Sequence, residues 1–293
     1  MRHNRTTAIV ISLSAAASAC LVFTFQAKAE MFYDVEVKTI YEDNVTGLLS
    51  DQRTPVSMPS GATVTAAGFG PGGGSGGIPP YLGSSTQSNG DFSVMVAADL
   101  GGSTDLNADT LLFAKAQLQH SSYSTYQDLD STIAGAAAGI TRQLGTVLSA
   151  RLTAAGRLKA FGDSQRNSTG YSGILELKQR ITPLVWFREG YEYERNNADT
   201  VLFSYTGNSA WAGLGYGLSN TWTLSLGYTY LVREYEEPAG FKITSHSVST
   251  GIRKELSRTW HVAAGYERAM STANSDGARS TDNIYSVSVL YWY

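Results

Sequence analysis

Cysteine is almost absent. The one in the chain, Cys20, lies in an apolar N-terminal stretch. No residue beyond position 29 can therefore form a disulfide, a thiolate nucleophile or a cysteine-bound metal site. Histidine is scarce as well. After that stretch only His120, His246 and His261 occur, with no common spacing, so neither a metal site nor a cofactor is expected. Beyond residue 29 no apolar run approaches the ~20 residues that a spanning helix requires. Surplus positive charge is also missing. Residues 1–29 hold Arg2, Arg5 and Lys28 and no acid. Taking those three from the chain's 22 basic residues leaves 19 against 25 acidic ones, a net charge of −6. That balance speaks against nucleic acid as a partner.

The N-terminal stretch has its own logic. Arg2 and Arg5 make a positive start, Ala8 to Phe25 is uncharged and mostly apolar, and Ala27-Lys28-Ala29 is an A-x-A cleavage site. Residues 1–29 read as a cleaved signal peptide, with Glu30 the first residue of the mature chain. The apolar part is about long enough to stay in a membrane as a helix, but the A-x-A follows it directly.

Aromatics are plentiful, at 11% of the chain with 17 tyrosines. Their placement follows a period of two. Asp282 to Tyr293 reads D-N-I-Y-S-V-S-V-L-Y-W-Y, with Tyr285, Val287, Val289, Tyr291 and Tyr293 on one face and Ser286 and Ser288 between them. That is a strand with one apolar face. Near the other end, Tyr33, Val35, Val37, Thr39 and Tyr41 alternate with Asp34, Glu36 and Lys38. Ten more such segments lie between residues 91 and 269. Hairpin starts at Leu112, Leu148, Val185, Trp222 and Trp260 are 36, 37, 37 and 38 residues apart, the spacing of an up-and-down meander. In T-W-T-L-S-L-G-Y (221–228) and T-W-H-V-A-A-G-Y (259–266) the Trp and Tyr share a face about 20 Å apart at ~3.3 Å per residue. A membrane protein without apolar helices must close its sheet, because lipid cannot satisfy an open edge. The expected fold is an all-β, up-and-down, antiparallel transmembrane β-barrel of about 12 strands over residues 30–293.

The aromatic last residue with apolar partners at alternate positions resembles the C-terminal signal of Gram-negative outer-membrane β-barrel proteins. The resemblance implies an outer-membrane, porin-like barrel whose last strand closes against the first. Tyr285 to Tyr293 would be read by the assembly machinery, and the partners would be outer-membrane lipid and lipopolysaccharide. Short turns at 143–145, 182–183, 219–220 and 257–258 alternate with longer connections after residues 41, 120, 160, 194, 233 and 269. Such asymmetry, with an even strand number, puts both termini in the periplasm. Residues 42–90, rich in Gly, Pro and Ser, read as one long loop, either a surface loop or one folded inward to constrict the lumen.

Parity divides the side chains. Tyr33, Tyr191, Trp222, Tyr228, Tyr230, Trp260, Tyr266, Tyr291 and Tyr293 fall on the outer face as candidate membrane-interface aromatics. Candidate pore-lining residues are Lys115, Arg151, Arg157, Lys159, Glu176, Lys178, Arg180, Arg188, Glu192, Arg233, Arg253 and Glu267, with Asp34, Glu36, Lys38, Asp99 and Glu194 also inward. Two places resist the pattern. Ser131 to Arg142 is Ala- and Gly-rich, and placing Ile133 outside puts Arg142 inside. Glu189 falls on the apolar face, which a β-bulge would explain. The acidic run Glu234, Glu236 and Glu237 reads as a solvated loop or a cation bridge to lipopolysaccharide.

Three functions stay open. Mixed charges can line a narrow channel for ions and small solutes. The same charges can pair and plug a structural or assembly barrel. An outer-membrane enzyme is the third, but neither the serine–histidine motif of outer-membrane phospholipases nor the paired aspartates of omptin-like proteases is found. N-terminal sequencing of the membrane-extracted protein should begin at Glu30. Recovery with the inner membrane, leader attached, would contradict the assignment.

Overall fold

The computed structural model describes residues 30–45, 90–274 and 279–293. The stretch read as a signal peptide and most of the 42–90 loop lie outside them. The described residues form twelve strands: β1 (Glu30–Glu42), β2 (Asp91–Asn107), β3 (Thr110–Tyr123), β4 (Ser131–Gln143), β5 (Leu148–Phe161), β6 (Ser168–Arg180), β7 (Val185–Ala198), β8 (Tyr205–Gly217), β9 (Trp222–Tyr235), β10 (Lys242–Glu255), β11 (Trp260–Ala273) and β12 (Arg279–Trp292). Each pairs antiparallel with its neighbours in sequence, and β12 returns to β1, closing the barrel.

Alternation builds the wall. In β2, Ser93, Met95 and Asp99 are buried inward while Phe92, Val94, Val96 and Leu100 stand exposed outward. An outer face of exposed Val, Leu and Tyr is the inverse of a soluble protein and suits contact with lipid. Four connections share one design. Leu144, Ile181, Leu218 and Leu256 each donate a backbone N–H to the carbonyl four residues on. In three of them a hydroxyl caps the turn: Thr182 Oγ1, Ser219 Oγ and Ser257 Oγ accept from the backbone two and three residues later. In the fourth, Gly145 takes φ 121, a conformation that glycine alone adopts freely.

The opposite end differs from the sequence reading. Strands β3, β7 and β11 run on to Tyr123, Ala198 and Ala273, so the connections there shrink to residues 124–130, 199–204 and 274–278. Polar residues such as Ser121, Asn196 and Ser271 carry the ladder past the apolar band, where hydrophobic alternation fades but pairing does not.

The seam between β1 and β12 is held in three ways. The register runs from Asp34 opposite Trp292 to Glu42 opposite Ile284. At the short-turn end Tyr33 and Tyr293 exchange both backbone bonds, at 3.0 and 2.9 Å. At the long-loop end the Asp43 carboxylate accepts from the Asn283 backbone N–H at 2.6 Å and from its side-chain amide at 2.5 Å, and Asn44 donates to Ser280 and Thr281. Outside, rings stack across the seam at both ends. Tyr293, Tyr33, Tyr291 and Trp260 form one row, and Phe92, Tyr41, Tyr285 and Tyr266 the other, with centroids 4.8–6.3 Å apart.

Two expectations are corrected. In β4, Ile133 is buried inside and Arg142 is exposed outside. Ile133 lies opposite Gln119 and Lys159, both inward, and Gly139 must face inward because the Phe113 ring occupies the space a Cβ would need. Arg142 instead sits at the short-turn edge, where a long cation can reach water along the apolar surface. Glu189 is exposed outside, opposite Leu177 and Ala212 in unbroken register, so no bulge redirects it. Nothing in the structure explains that carboxylate.

Deleting residues 291–293 removes both Tyr33–Tyr293 bonds and the pairs at Asp34 and Val35. Backbone groups left unpaired in lipid cost several kcal/mol each. The truncated chain should fail to assemble, checked by loss of the folded band on unheated gels.

Candidate functional site in the barrel lumen

The lumen is shaped first by rings lying on glycines. Phe32 faces Gly101, Phe113 faces Gly139, Trp211 faces Gly190 and Trp186 faces Gly215, each a direct cross-strand pair. A Cβ on any of these glycines would approach the opposing ring to 2.1–2.7 Å. The absent side chain lets each ring lie flat along the wall instead of projecting across the barrel. Cations then sit on the rings: Arg151 lies 5.4 Å from the Phe113 centroid, and Arg188 5.4 Å from that of Trp211.

Above these, toward the long-loop end, β5, β7 and β9 converge on one carboxylate. Glu194 meets Lys159 at 3.3 Å, Arg157 at 3.8 Å and Arg233 at 3.8 Å. The Tyr205 hydroxyl donates to it at 3.3 Å, and the Arg233 guanidinium stands 4.6 Å from the Tyr205 ring centroid. Arg157 also reaches Glu192 at 3.2 Å. Tyr205, Tyr235, Phe241, Ile243 and Ala273 pack beside the cluster and keep water from it. Elsewhere Lys115 bonds Asp99 at 2.7 Å, and Arg188 bonds Glu176 at 2.5 Å. The wall of β9–β12 is different. It presents Thr229, Ser247, Ser249, Gly265, Glu267 and Ser286, all only partly buried. An apolar patch of Ile40 on β1, Met95 and Ala97 on β2, and Ile284 on β12 borders it near the long-loop end.

The candidate lumen residues thus fall into groups. Arg157, Lys159, Glu192 and Arg233 come together around Glu194. Arg151, Glu176, Lys178 and Arg188 lie on neighbouring strands near the short turns, with Arg180 exposed at the rim. Lys115, Arg253 and Glu267 point inward from separate strands. Tyr33, Tyr191, Trp222, Tyr228, Tyr230, Trp260, Tyr266, Tyr291 and Tyr293 all face outward. Of the acidic run, Glu234 pairs with Lys242 at 3.2 Å and Glu236 with Arg195. Sequence reasoning missed the inward aromatics Phe113, Trp186, Tyr205 and Trp211. Parity marked Phe113, Trp186 and Trp211, each of which stands between two outward residues, whereas Tyr205 opens β8 after the buried Ser204 and had no such mark.

No protein-family model matches the chain, and no curated protein matches it. Solved structures do. An outer-membrane channel from Pseudomonas putida F1 aligns over 90% of this chain and 95% of its own, with a TM-score of 0.57 at 8% identity. The chain has the fold of an outer-membrane β-barrel. The NanC porin aligns over 88% of this chain and 98% of its own, with a TM-score of 0.48 at 9% identity. A KdgM porin in complex with disordered oligogalacturonate covers the same shares, with a TM-score of 0.44 at 10% identity. At such identities it is the architecture that is shared.

Glu194 supports three cations in a nearly dry site. Removing one partner of a buried ion pair costs about 3–5 kcal/mol. Glu194→Gln should lower the stability of the detergent-folded barrel by that order in urea unfolding. Glu267→Gln, on the partly exposed wall, should change it by less than about 0.5 kcal/mol.

Proposed function

We propose that the protein is a narrow channel of the outer membrane, passing ions and small solutes along an eccentric polar path. One observation carries this reading. Among the described residues, the lumen ion pairs of Asp99, Glu176, Glu192 and Glu194 join strands that are adjacent or two apart: β2 with β3, β6 with β7, β5 with β7, and β7 with β9. The charges therefore pair along the wall instead of bridging the barrel. Charge pairs that plugged the lumen would join opposite walls. The facing wall of β9–β12 carries small hydroxyls and glycines that water partly reaches.

Size supports the same reading. Barrels of about eight strands are filled by their side chains, and those of sixteen or more hold wide aqueous pores, so twelve strands suit a constricted passage. The architecture shared with an outer-membrane channel is in keeping with it. The short-turn end would face the periplasm, with both termini there, and the long-loop end would face lipopolysaccharide. The outward aromatics would sit at the two lipid interfaces, and the assembly machinery would recognise Tyr285 to Tyr293. The residues between 42 and 90 are the segment long enough to narrow the mouth further.

Planar-bilayer recording tests this. Discrete small conductance steps are expected, larger after deletion of residues 50–85. Thr229→Trp or Ser249→Trp, which fill the β9–β12 side of the lumen, should cut the conductance severalfold. Thr250→Trp, on the outer face, should leave it unchanged. A silent bilayer with both the full chain and the loop deletion would end the channel reading.

A further inference from the structure

Positive charge is balanced in most of the lumen but not at its short-turn end. There, Arg151 on β5, Lys178 on β6 and Arg188 on β7 surround a single carboxylate, Glu176. Lys178 stands directly opposite Arg188 in the register, both inward. Like charges in direct cross-strand pairs destabilise a sheet. By contrast, Arg157, Lys159 and Arg233 share two carboxylates, and Lys115 has Asp99.

The donors near Glu176 are also under-used. Arg188 spends one terminal nitrogen on Glu176, while its Nε is buried without an acceptor. The Trp211 indole, whose ring Arg188 covers, has a buried Nε1 likewise without one. Arg151 gives its Nε to the Thr141 hydroxyl at 3.0 Å and makes no ion pair among the described residues. Lys178 is only half-buried, and among the described residues it makes neither a hydrogen bond nor an ion pair. Arg188 and Glu176 keep side-chain exposures of 17% and 12%, so solutes in the lumen can reach the group. Buried donors are rarely left unsatisfied, and each such group calls for a partner.

We propose that Arg151, Lys178 and Arg188 form a binding site for one small oxyanion: phosphate, sulfate or a carboxylate. The anion takes the place of the missing carboxylate between Lys178 and Arg188, accepts from Arg188 and Arg151, and removes the repulsion between them. Guanidinium groups suit such ligands because their fork matches two oxygens at once, and Lys178 adds a point charge. The inference rests on the lumen being reachable by solutes, the premise of the channel reading, but not on conduction. A permeant oxyanion would pause here, near the short-turn mouth.

The test is thermal unfolding of the detergent-folded barrel, with sodium phosphate, sulfate, acetate or chloride at matched ionic strength. Phosphate, sulfate or acetate should raise the midpoint saturably, beyond the effect of chloride. Lys178→Gln should raise the half-saturating concentration about tenfold or more. In salt-poor buffer that variant should be no less stable than the parent, since Lys178 has no hydrogen-bond or ion-pair partner among the described residues to orphan. Arg253→Gln, which removes a lumen cation near other strands, should keep the response. Chloride matching all the oxyanions, an unchanged response in Lys178→Gln, or an equal loss in Arg253→Gln would each overturn the site. A silent bilayer with the oxyanion response intact would sink the channel and leave the site standing.

Discussion

Lipid offers the backbone no hydrogen bonds, and the molecule is arranged around that fact. Eleven of the strand pairings join neighbours in sequence, and closure depends on the twelfth, β1 with β12. That pairing gathers supports found together nowhere else among the described residues. Tyr33 and Tyr293 exchange bonds at one end, Asp43 grips Asn283 at the other, and two rows of rings overlie the seam. The Asp43 and Asn44 side chains matter because the register stops at Glu42, where an unfastened edge would begin to fray.

Most of this wall was legible because a barrel in lipid repeats a period of two without interruption. Tyr33 to Tyr41 and Tyr285 to Tyr293 were legible as strands by that pattern, and their closing on each other was what the resemblance of the C-terminus to outer-membrane barrels implied. The pattern failed where the two faces look alike. In β4, Ala134, Ala136 and Ala138 alternate with Gly135, Ala137 and Gly139, and hydropathy cannot choose between them. Cross-strand partners decide, since Gly139 accommodates the Phe113 ring from β3. The long-loop ends failed for another reason. Beyond the apolar band the outward residues turn polar, so the ladder loses its sequence mark before it loses its hydrogen bonds.

Inside the barrel the sequence told which side chains point inward, but not which of them meet. Glu194 gathers Lys159 and Arg157 from two strands away on one side, and Arg233 from two strands away on the other. No spacing along the chain expresses that convergence. The inward rings were overlooked because aromatics were read as interface markers, whereas Phe32, Phe113, Trp186 and Trp211 each depend on a glycine on the next strand. A glycine opposite an inward aromatic is thus a wall element: it decides whether the ring lines the lumen or obstructs it.

The bonds between Tyr33 and Tyr293 carry one more implication. Residues far apart in sequence lie side by side at the end where the compact, self-capped turns also lie. A short linker there, with a new opening at 219–220 or 257–258, would yield a circular permutant with the same strand order. In it, the Tyr285 to Tyr293 strand would keep both neighbours yet no longer come last. Closing the sheet and standing last in the chain, two properties that one strand combines here, would then fall to different segments.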